Sequence, residues 1–249
     1  MNTTAPVSIV FGASGGIGSA LARLLAQAGH QLVVVARQAE RLQALATELN
    51  ATALTADATV SAEVDAVVTQ VQERFGRLDG VASCIGSLML KPAHLTTDEE
   101  WRQTIDINLT SSFYILRAAA RVMRPNGGSI VFCSSVAAQR GLANHEAIAG
   151  AKAGIVGLIL AAAATYASNR VRVNCVAPGL TRTPLTASLT ANEMAQKASV
   201  AMHPLGRLGE PEDVASAVAW LLDAKQSWIT GQVISVDGGM STVQARPRV

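Results

Sequence analysis

The sequence is short of the features that mark several large protein classes. Only 15% of its 249 residues are charged, and 20 Lys+Arg stand against 18 Asp+Glu, for a net charge of +2. The cations are scattered, without the basic stripe that nucleic-acid binding needs. The three cysteines, Cys84, Cys133 and Cys175, form no CxxC and no Cys/His cluster. Neither a metal site nor a disulfide framework is therefore expected, and each cysteine reads as a small buried residue of an apolar run. The first apolar stretch has no basic segment ahead of it, so a signal peptide is not expected. The longest apolar stretch, residues 153–167, falls short of the ~20 residues of a membrane span. These absences predict a cytoplasmic protein with reduced thiols and no nucleic-acid or membrane partner. The tail at 244–249, with Arg246 and Arg248, carries no signal. Aromatic residues make up only 4% of the chain, and there are just two tyrosines, Tyr114 and Tyr166.

What is present is apolar and periodic. The hydrophobic share of 49% with so little charge excludes disorder. Short β-branched runs at 7–11, 31–36, 53–56, 80–83, 129–133, 171–176 and 232–236 read as strands. Helical spacing occupies 17–28, 39–49, 61–75, 98–123, 145–167 and 211–222. Gly29 is a stop signal, Ser61 a candidate N-cap and Pro211 a start signal. Such alternation predicts an α/β fold, a doubly wound parallel sheet with helices on both faces, built as a single domain. Residues 181–204 follow a strand end, look irregular and suit a lid over a pocket. The helix at 144–167 is apolar nearly all round (GIVGLILAAAATYA), so one face can cover the sheet while the other calls for a second subunit. A homotetramer or homodimer through that helix is expected; a helix buried within the monomer is the alternative.

The first strand runs into Gly12-Ala13-Ser14-Gly15-Gly16-Ile17-Gly18 and then directly into a helix. Glycines permit a tight turn and close backbone approach to a pyrophosphate, while the helix N-terminus supplies free N–H groups and the positive end of its dipole. The end of the second strand selects the dinucleotide. NAD calls for an acidic residue there, but this chain has Ala36-Arg37. Arg37, helped by the Ser14 hydroxyl, suits a 2′-phosphate, so NADP(H) is favoured; otherwise Arg37 is a solvated surface residue. Asp57, at the end of the third strand, either accepts from an adenine amino group or caps its own turn.

Taken together, the chain resembles the short-chain dehydrogenase/reductase family in its form of about 250 residues, over essentially its whole length. Gly12, Gly16 and Gly18 match the family's glycine loop, with Phe11 where Thr is usual. Asn108 in IDINLTSSF, Ser135 in IVFCSSVAA, Lys152 in AGAKAG, and Pro178-Gly179 with Thr183 match its active-site and cofactor segments. GRLGEPEDVA and ITGQVISVDGG follow its C-terminal pattern. The family's NNAG reads here Ser83-Cys84-Ile85-Gly86, keeping the glycine and losing both asparagines. The resemblance implies a nicotinamide cofactor held by the loop, Gly86, Lys152 and the segment from Pro178 to Thr183.

It also implies a catalytic tyrosine four residues before Lys152 and thirteen after Ser135, and both counts end on Ile148. In the family that hydroxyl exchanges the proton with the substrate oxygen while Ser orients the carbonyl and Lys holds the ribose. Isoleucine has nothing to ionise. Losing a positioned general acid costs about 10²–10⁴-fold, which is roughly 3–5.5 kcal/mol of barrier. His145 is three residues before Ile148, so on a helix it shares the face of Ile148 and Lys152 and can serve as an acid near neutral pH. Alternatively it only starts the helix or lines the pocket. Glu146 is rotated off that face.

Two functions are carried forward. One is an NADP(H)-dependent oxidoreductase acting on the carbonyl or alcohol of a small, fairly apolar molecule, with Ser135, Lys152, Asn108 and His145 as the catalytic set. Leu180, Leu185, Leu189, Met194, Leu88, Met89 and Leu90 supply the apolar lining, and Lys91 and His94 either meet an anionic group or are solvated. The other is a weak or inactive NADP(H)-binding subunit or sensor acting with a partner. An elimination or isomerisation with a structural cofactor has no positive support.

Overall fold

Seven strands form one sheet in the order β3-β2-β1-β4-β5-β6-β7, and every neighbouring pair runs parallel. They are β1 (Val7–Phe11), β2 (Gln31–Ala36), β3 (Thr52–Thr55), β4 (Gly80–Ser83), β5 (Gly128–Cys133), β6 (Val171–Pro178) and β7 (Val233–Val236). This computed structural model describes residues 5–244; residues 1–4 and 245–249, Arg246 and Arg248 among them, lie outside the described residues. The helices are α1 (Gly16–Gln27), α2 (Ala39–Leu49), α3 (Ser61–Phe75), α4 (Asp98–Ile105), α5 (Ser111–Met123), α6 (Glu146–Tyr166), α7 (Glu193–Ala201) and α8 (Pro211–Leu222).

The period-two geometry of the strands builds two cores. Ile9, Phe11, Val33 and Val35 point to one face, where α3, α5 and α6 cover them with Val64, Val68, Ile115, Ile155 and Ile159. Val10, Leu32 and Val34 point to the other, under Leu21, Leu25 and Leu42 of α1 and α2 and Val214 and Val218 of α8. With both faces covered, the strands read as continuous apolar runs.

Several local expectations are corrected. The N-cap of α3 is Val60 and Ser61 is its first helical residue, because the Val60 amide already closes a turn onto the Asp57 carbonyl at 2.9 Å. The helix expected over 98–123 is interrupted by a π-helical turn, Asp106–Thr110, between α4 and α5. Residues 181–204 are not irregular: they hold a 3₁₀ segment, Pro184–Thr190, and α7. α6 begins at Glu146, so His145 is its N-cap with non-helical φ −108 and ψ 12. With the turn that follows it, the apolar helix Glu146–Asn169 has 24 residues and is long enough to cross a membrane, contrary to the shorter stretch read from sequence. Its packing is that of a sheet-covering helix, with Ile155, Ile159, Ala162 and Ala163 in the core.

The turn from β1 into α1 is the tightest join. Gly12 sits at φ +76, and a Cβ on Gly18 would lie 2.2 Å from the Gly12 carbonyl oxygen. Gly18→Ala is therefore expected to lower the melting temperature by roughly 5–10 °C while leaving the far-ultraviolet dichroism spectrum intact. An unchanged melting temperature would show that the loop has slack the geometry denies.

Candidate active site

The strand order reverses at β1, with β2 on one side and β4 on the other, and ligands of such sheets bind outside the strand carboxyl ends at that point. A cleft of about 600 Å³ opens there. Gly12, Ser14, Gly16, Ile17, Gly18, Arg37, Asp57, Gly86 and Thr183 all line it. The N-cap of α1 is Gly15, with no side-chain cap and no acidic residue in the first turn, so its amides are free for an anion. The glycine cradle, which side chains would fill, fits a dinucleotide pyrophosphate.

Arg37 is exposed and reaches toward Asp57, with Nη1 3.9 Å from Oδ2. Sequence reasoning missed Arg41, which also lines the cleft from the first turn of α2, four residues past Arg37. Asp57 Oδ1 accepts from the Thr59 amide at 2.9 Å and the Thr59 hydroxyl at 2.8 Å, so the turn-capping role is made. Burial alone would raise the Asp57 pKa, but the Thr59 donors and Arg37 outweigh it and hold the carboxyl below its usual range.

A second pocket of about 440 Å³ adjoins the first. The two share Ile17, Cys84, Ile85, Gly86, Thr183 and Leu185. Ser135, His145, Ile148, Lys152, Pro178 and Gly179 line the second pocket together with Leu88, Leu90, Leu180, Leu185 and Leu189. Leu142, Met202 and Met240, which sequence did not single out, complete the apolar wall. Met194 is instead 82% exposed, and Met89 is not among the lining residues; its sulfur accepts from the Thr104 hydroxyl at 3.9 Å. Lys91 is engaged by Glu100 at 2.7 and 2.8 Å and His94 is exposed, and neither side chain lines the pocket. The 181–204 segment lies on the phosphate loop: a Cβ on Gly16 would be 2.9 Å from Cγ2 of Thr183. His203, also missed, ties the segment's ends by accepting from the Leu180 amide at Nε2 (3.2 Å) and donating from Nδ1 to the Ser199 carbonyl (2.8 Å).

The side chains around this pocket have distinct supports. Ser135 follows β5, and its Oγ accepts from the Ala137 amide at 3.1 Å, which leaves the hydroxyl proton free. Lys152 is buried, and its Nζ donates to the Cys133 carbonyl at 2.9 Å and the Ile85 carbonyl at 3.4 Å. Burial pushes the Lys152 pKa down, and no carboxylate pairs with it among the described residues. Asn108 lies in the π-helical turn, fully buried, and does not face the pocket. Its amide holds Ser87, accepting from the Ser87 amide at 3.2 Å and donating to Ser87 Oγ at 2.9 Å, and donates to the Thr104 carbonyl at 2.9 Å. Asn108 thus braces the turn after β4 through Ser87. His145 lines the pocket from the N-cap and not from the helix, and its Nδ1 donates to the Ala143 carbonyl at 2.7 Å. Glu146 is exposed, with only a 3.4 Å contact to the Ala93 amide, and neither Tyr114 nor Tyr166 lines the pocket.

The family described as Enoyl-(Acyl carrier protein) reductase matches residues 12–241. Residues of the chain are 39% identical, over 243 positions, to the cis-4-hydroxycyclohexanecarboxylate dehydrogenase of Sinomonas cyclohexanicum, covering 95% of this chain and 97% of that one. The chain belongs to the short-chain dehydrogenase/reductase family. It is also 35% identical over 243 residues to the 3-oxoacyl-(acyl-carrier-protein) reductase FabG of Vibrio cholerae, covering 96% and 99% of the two chains. A short-chain type dehydrogenase/reductase from Mycobacterium ulcerans superposes with a TM-score of 0.93 at 34% identity, over 98% of this chain and 93% of that structure. The seven-stranded parallel sheet and its helices are those of this family.

A buried ammonium leaves a thermodynamic trace. Between its depressed native pKa and the ordinary 10.5, the unfolded chain holds the extra proton, so stability rises with pH across that interval. Urea midpoints followed to about pH 10 should rise more in the wild type than in Lys152→Met. Parallel curves would contradict the burial of a charged lysine.

Proposed function

We propose that this short-chain dehydrogenase/reductase is an NADP(H)-dependent oxidoreductase acting on the carbonyl or alcohol of a small, apolar, uncharged molecule, by a proton route that uses no tyrosine. The observation that carries this reading is the shared wall: the phosphate-loop cleft and the Ser135–Lys152 pocket meet at Ile17, Cys84 to Gly86, Thr183 and Leu185. The printed names of the relatives, which describe oxidoreduction at ring alcohols and 3-oxoacyl groups, support the same chemistry. A nicotinamide dinucleotide, when bound, supplies or accepts the hydride. Arg37, Arg41 and Ser14 would hold its 2′-phosphate, and Lys152 its ribose. Ser135 donates its free hydroxyl proton to the substrate oxygen and so orients it.

Ile148 is buried; it stands where the resemblance implies the family's tyrosine, and it would offer the substrate oxygen only a methyl surface. His145 is the titratable side chain on the neighbouring rim. Its Nδ1 bond to Ala143 leaves Nε2 toward other partners, so the imidazolium can donate there and the neutral ring can accept. The buried isoleucine equally favours a second reading, a weak or inactive NADP(H)-binding subunit or sensor. A cytoplasmic protein without membrane or nucleic-acid partners fits either reading.

NADPH oxidation by the wild type, Ile148→Tyr and His145→Ala on uncharged cyclic ketones separates the two. The oxidoreductase reading expects wild-type turnover that falls about 10²-fold or more in His145→Ala. A silent wild type beside an active Ile148→Tyr would establish the binding-subunit reading. Replacing Arg37 with Asp should weaken NADPH roughly 10–100-fold while sparing NADH.

The exposed face of α6 carries Gly150, Ala153, Gly157, Leu160, Ala161 and Ala164, small enough for a second helix to approach closely. A homodimer or homotetramer through this face is part of the proposal. Leu160→Glu should shift the sedimentation coefficient to that of the monomer, whereas an unchanged value would place the interface elsewhere.

A further inference from the structure

Two thiols that the proposed reaction does not use stand between the two clefts. Ser83 of β4 and Phe132 of β5 are register partners, so the next residue along the chain in each case, Cys84 just past β4 and Cys133 at the end of β5, stands beside the other. The Cys133 thiol donates to the Cys84 sulfur at 4.0 Å. Neighbouring strands lie ~4.8 Å apart, inside the ~4.4–6.8 Å of Cα separation that a disulfide bridges. Closing the sulfur gap from 4.0 Å to the ~2.05 Å of a disulfide takes side-chain rotation and a small shift of the backbone at the two cysteines. Both cysteines line the substrate pocket, and Cys84 also lines the phosphate-loop cleft. Cys175 is different: it is buried inside β6 and its thiol is pushed up to about 12, chiefly by burial.

We propose that Cys84 and Cys133 are a redox-modification site, which hydrogen peroxide entering the pocket converts reversibly to a disulfide that weakens dinucleotide binding. Once Cys133 ionises, the Cys84 thiol donates to its thiolate, which lowers the Cys133 pKa, and the Lys152 ammonium adds to this, while Cys84 is pushed up and keeps its proton. The Cys133 thiolate attacks one peroxide oxygen, the O–O bond breaks, and the departing oxygen takes up protons and leaves as water. The Cys84 sulfur then displaces the resulting sulfenic oxygen from Cys133, which leaves as a second water. Two thiols and one peroxide thus give one disulfide and two waters.

The effect on binding rests on the dinucleotide reading above, whereas the thiol chemistry does not. Lys152 holds the carbonyls of Cys133 and Ile85. The carbonyl carbon of Cys84 lies 2.9 Å from where a Cβ of Gly12 would be. Drawing the sulfurs together therefore disturbs both the lysine's acceptors and the backbone against the phosphate loop.

The test uses the purified full chain, treated with hydrogen peroxide and followed by intact mass, thiol titration and peptide mapping. The expected result is a loss of about 2 Da and of two of the three thiols, a peptide pair linked through Cys84 and Cys133, and full reversal by dithiothreitol. Cys84→Ser and Cys133→Ser should lose the reaction and Cys175→Ser should keep it. By fluorescence titration the oxidised chain should bind NADPH about tenfold more weakly than the reduced one. Retention of all three thiols, or oxidation of single cysteines without a link, would overturn the site. A linked protein with unaltered NADPH affinity would overturn the effect on binding. If neither form binds NADPH, the dinucleotide reading fails, while the mass measurement still decides the thiol pair.

Discussion

The close approach of three backbone segments at the carboxyl ends of β1 and β4 governs the rest of this molecule. Gly12, Gly18 and the Cys84 carbonyl meet with no room for a side chain between them. That contact brings the N-terminus of α1 to the strand ends and presents uncapped amides to the cleft. It also sets where the chain leaves β4, and so where Cys84 to Gly86 form the wall common to both pockets. A side chain at Gly18 would open this join, and the two pockets would lose their common boundary.

A second constraint is the buried ammonium of Lys152. It has no counter-charge nearby among the described residues and is held only by backbone carbonyls, an arrangement costly in an apolar interior. Its holders, Cys133 and Ile85, come from β5 and the turn after β4, so the charge ties two strand ends to α6. Asn108 braces the same turn from behind through Ser87, and the π-helical turn around it sets that side chain apart from the regular helical spacing. The pocket lining is largely apolar, and neither Lys91 nor His94 is part of it.

Much of this architecture is legible in the residues themselves. Strand and helix periodicity, the glycine loop, Arg37 at the end of β2 and the Ser135–Ile148–Lys152 spacing are local patterns, because each depends on backbone geometry over a few residues. The parallel sheet with helices on both faces follows from strand–helix alternation. By itself the sequence determined the parallel α/β sheet, the phosphate-loop cleft and the absence of a tyrosine four residues before Lys152.

What remained out of reach depends on contacts between distant segments. The order within 181–204 comes from Thr183 packing on Gly16 and His203 binding Leu180, and no local pattern foretells either. That Asn108 braces Ser87 instead of facing the pocket depends on a π-helical turn that regular spacing conceals. Lys91 is drawn away by Glu100, and His145 stands before the helix because α6 begins one residue later than its periodicity suggests. The pairing of Cys84 with Cys133, 49 residues apart, exists only because β4 and β5 are neighbours in register. Local chemistry is written residue by residue, but register and packing between remote strands decided which of those residues meet.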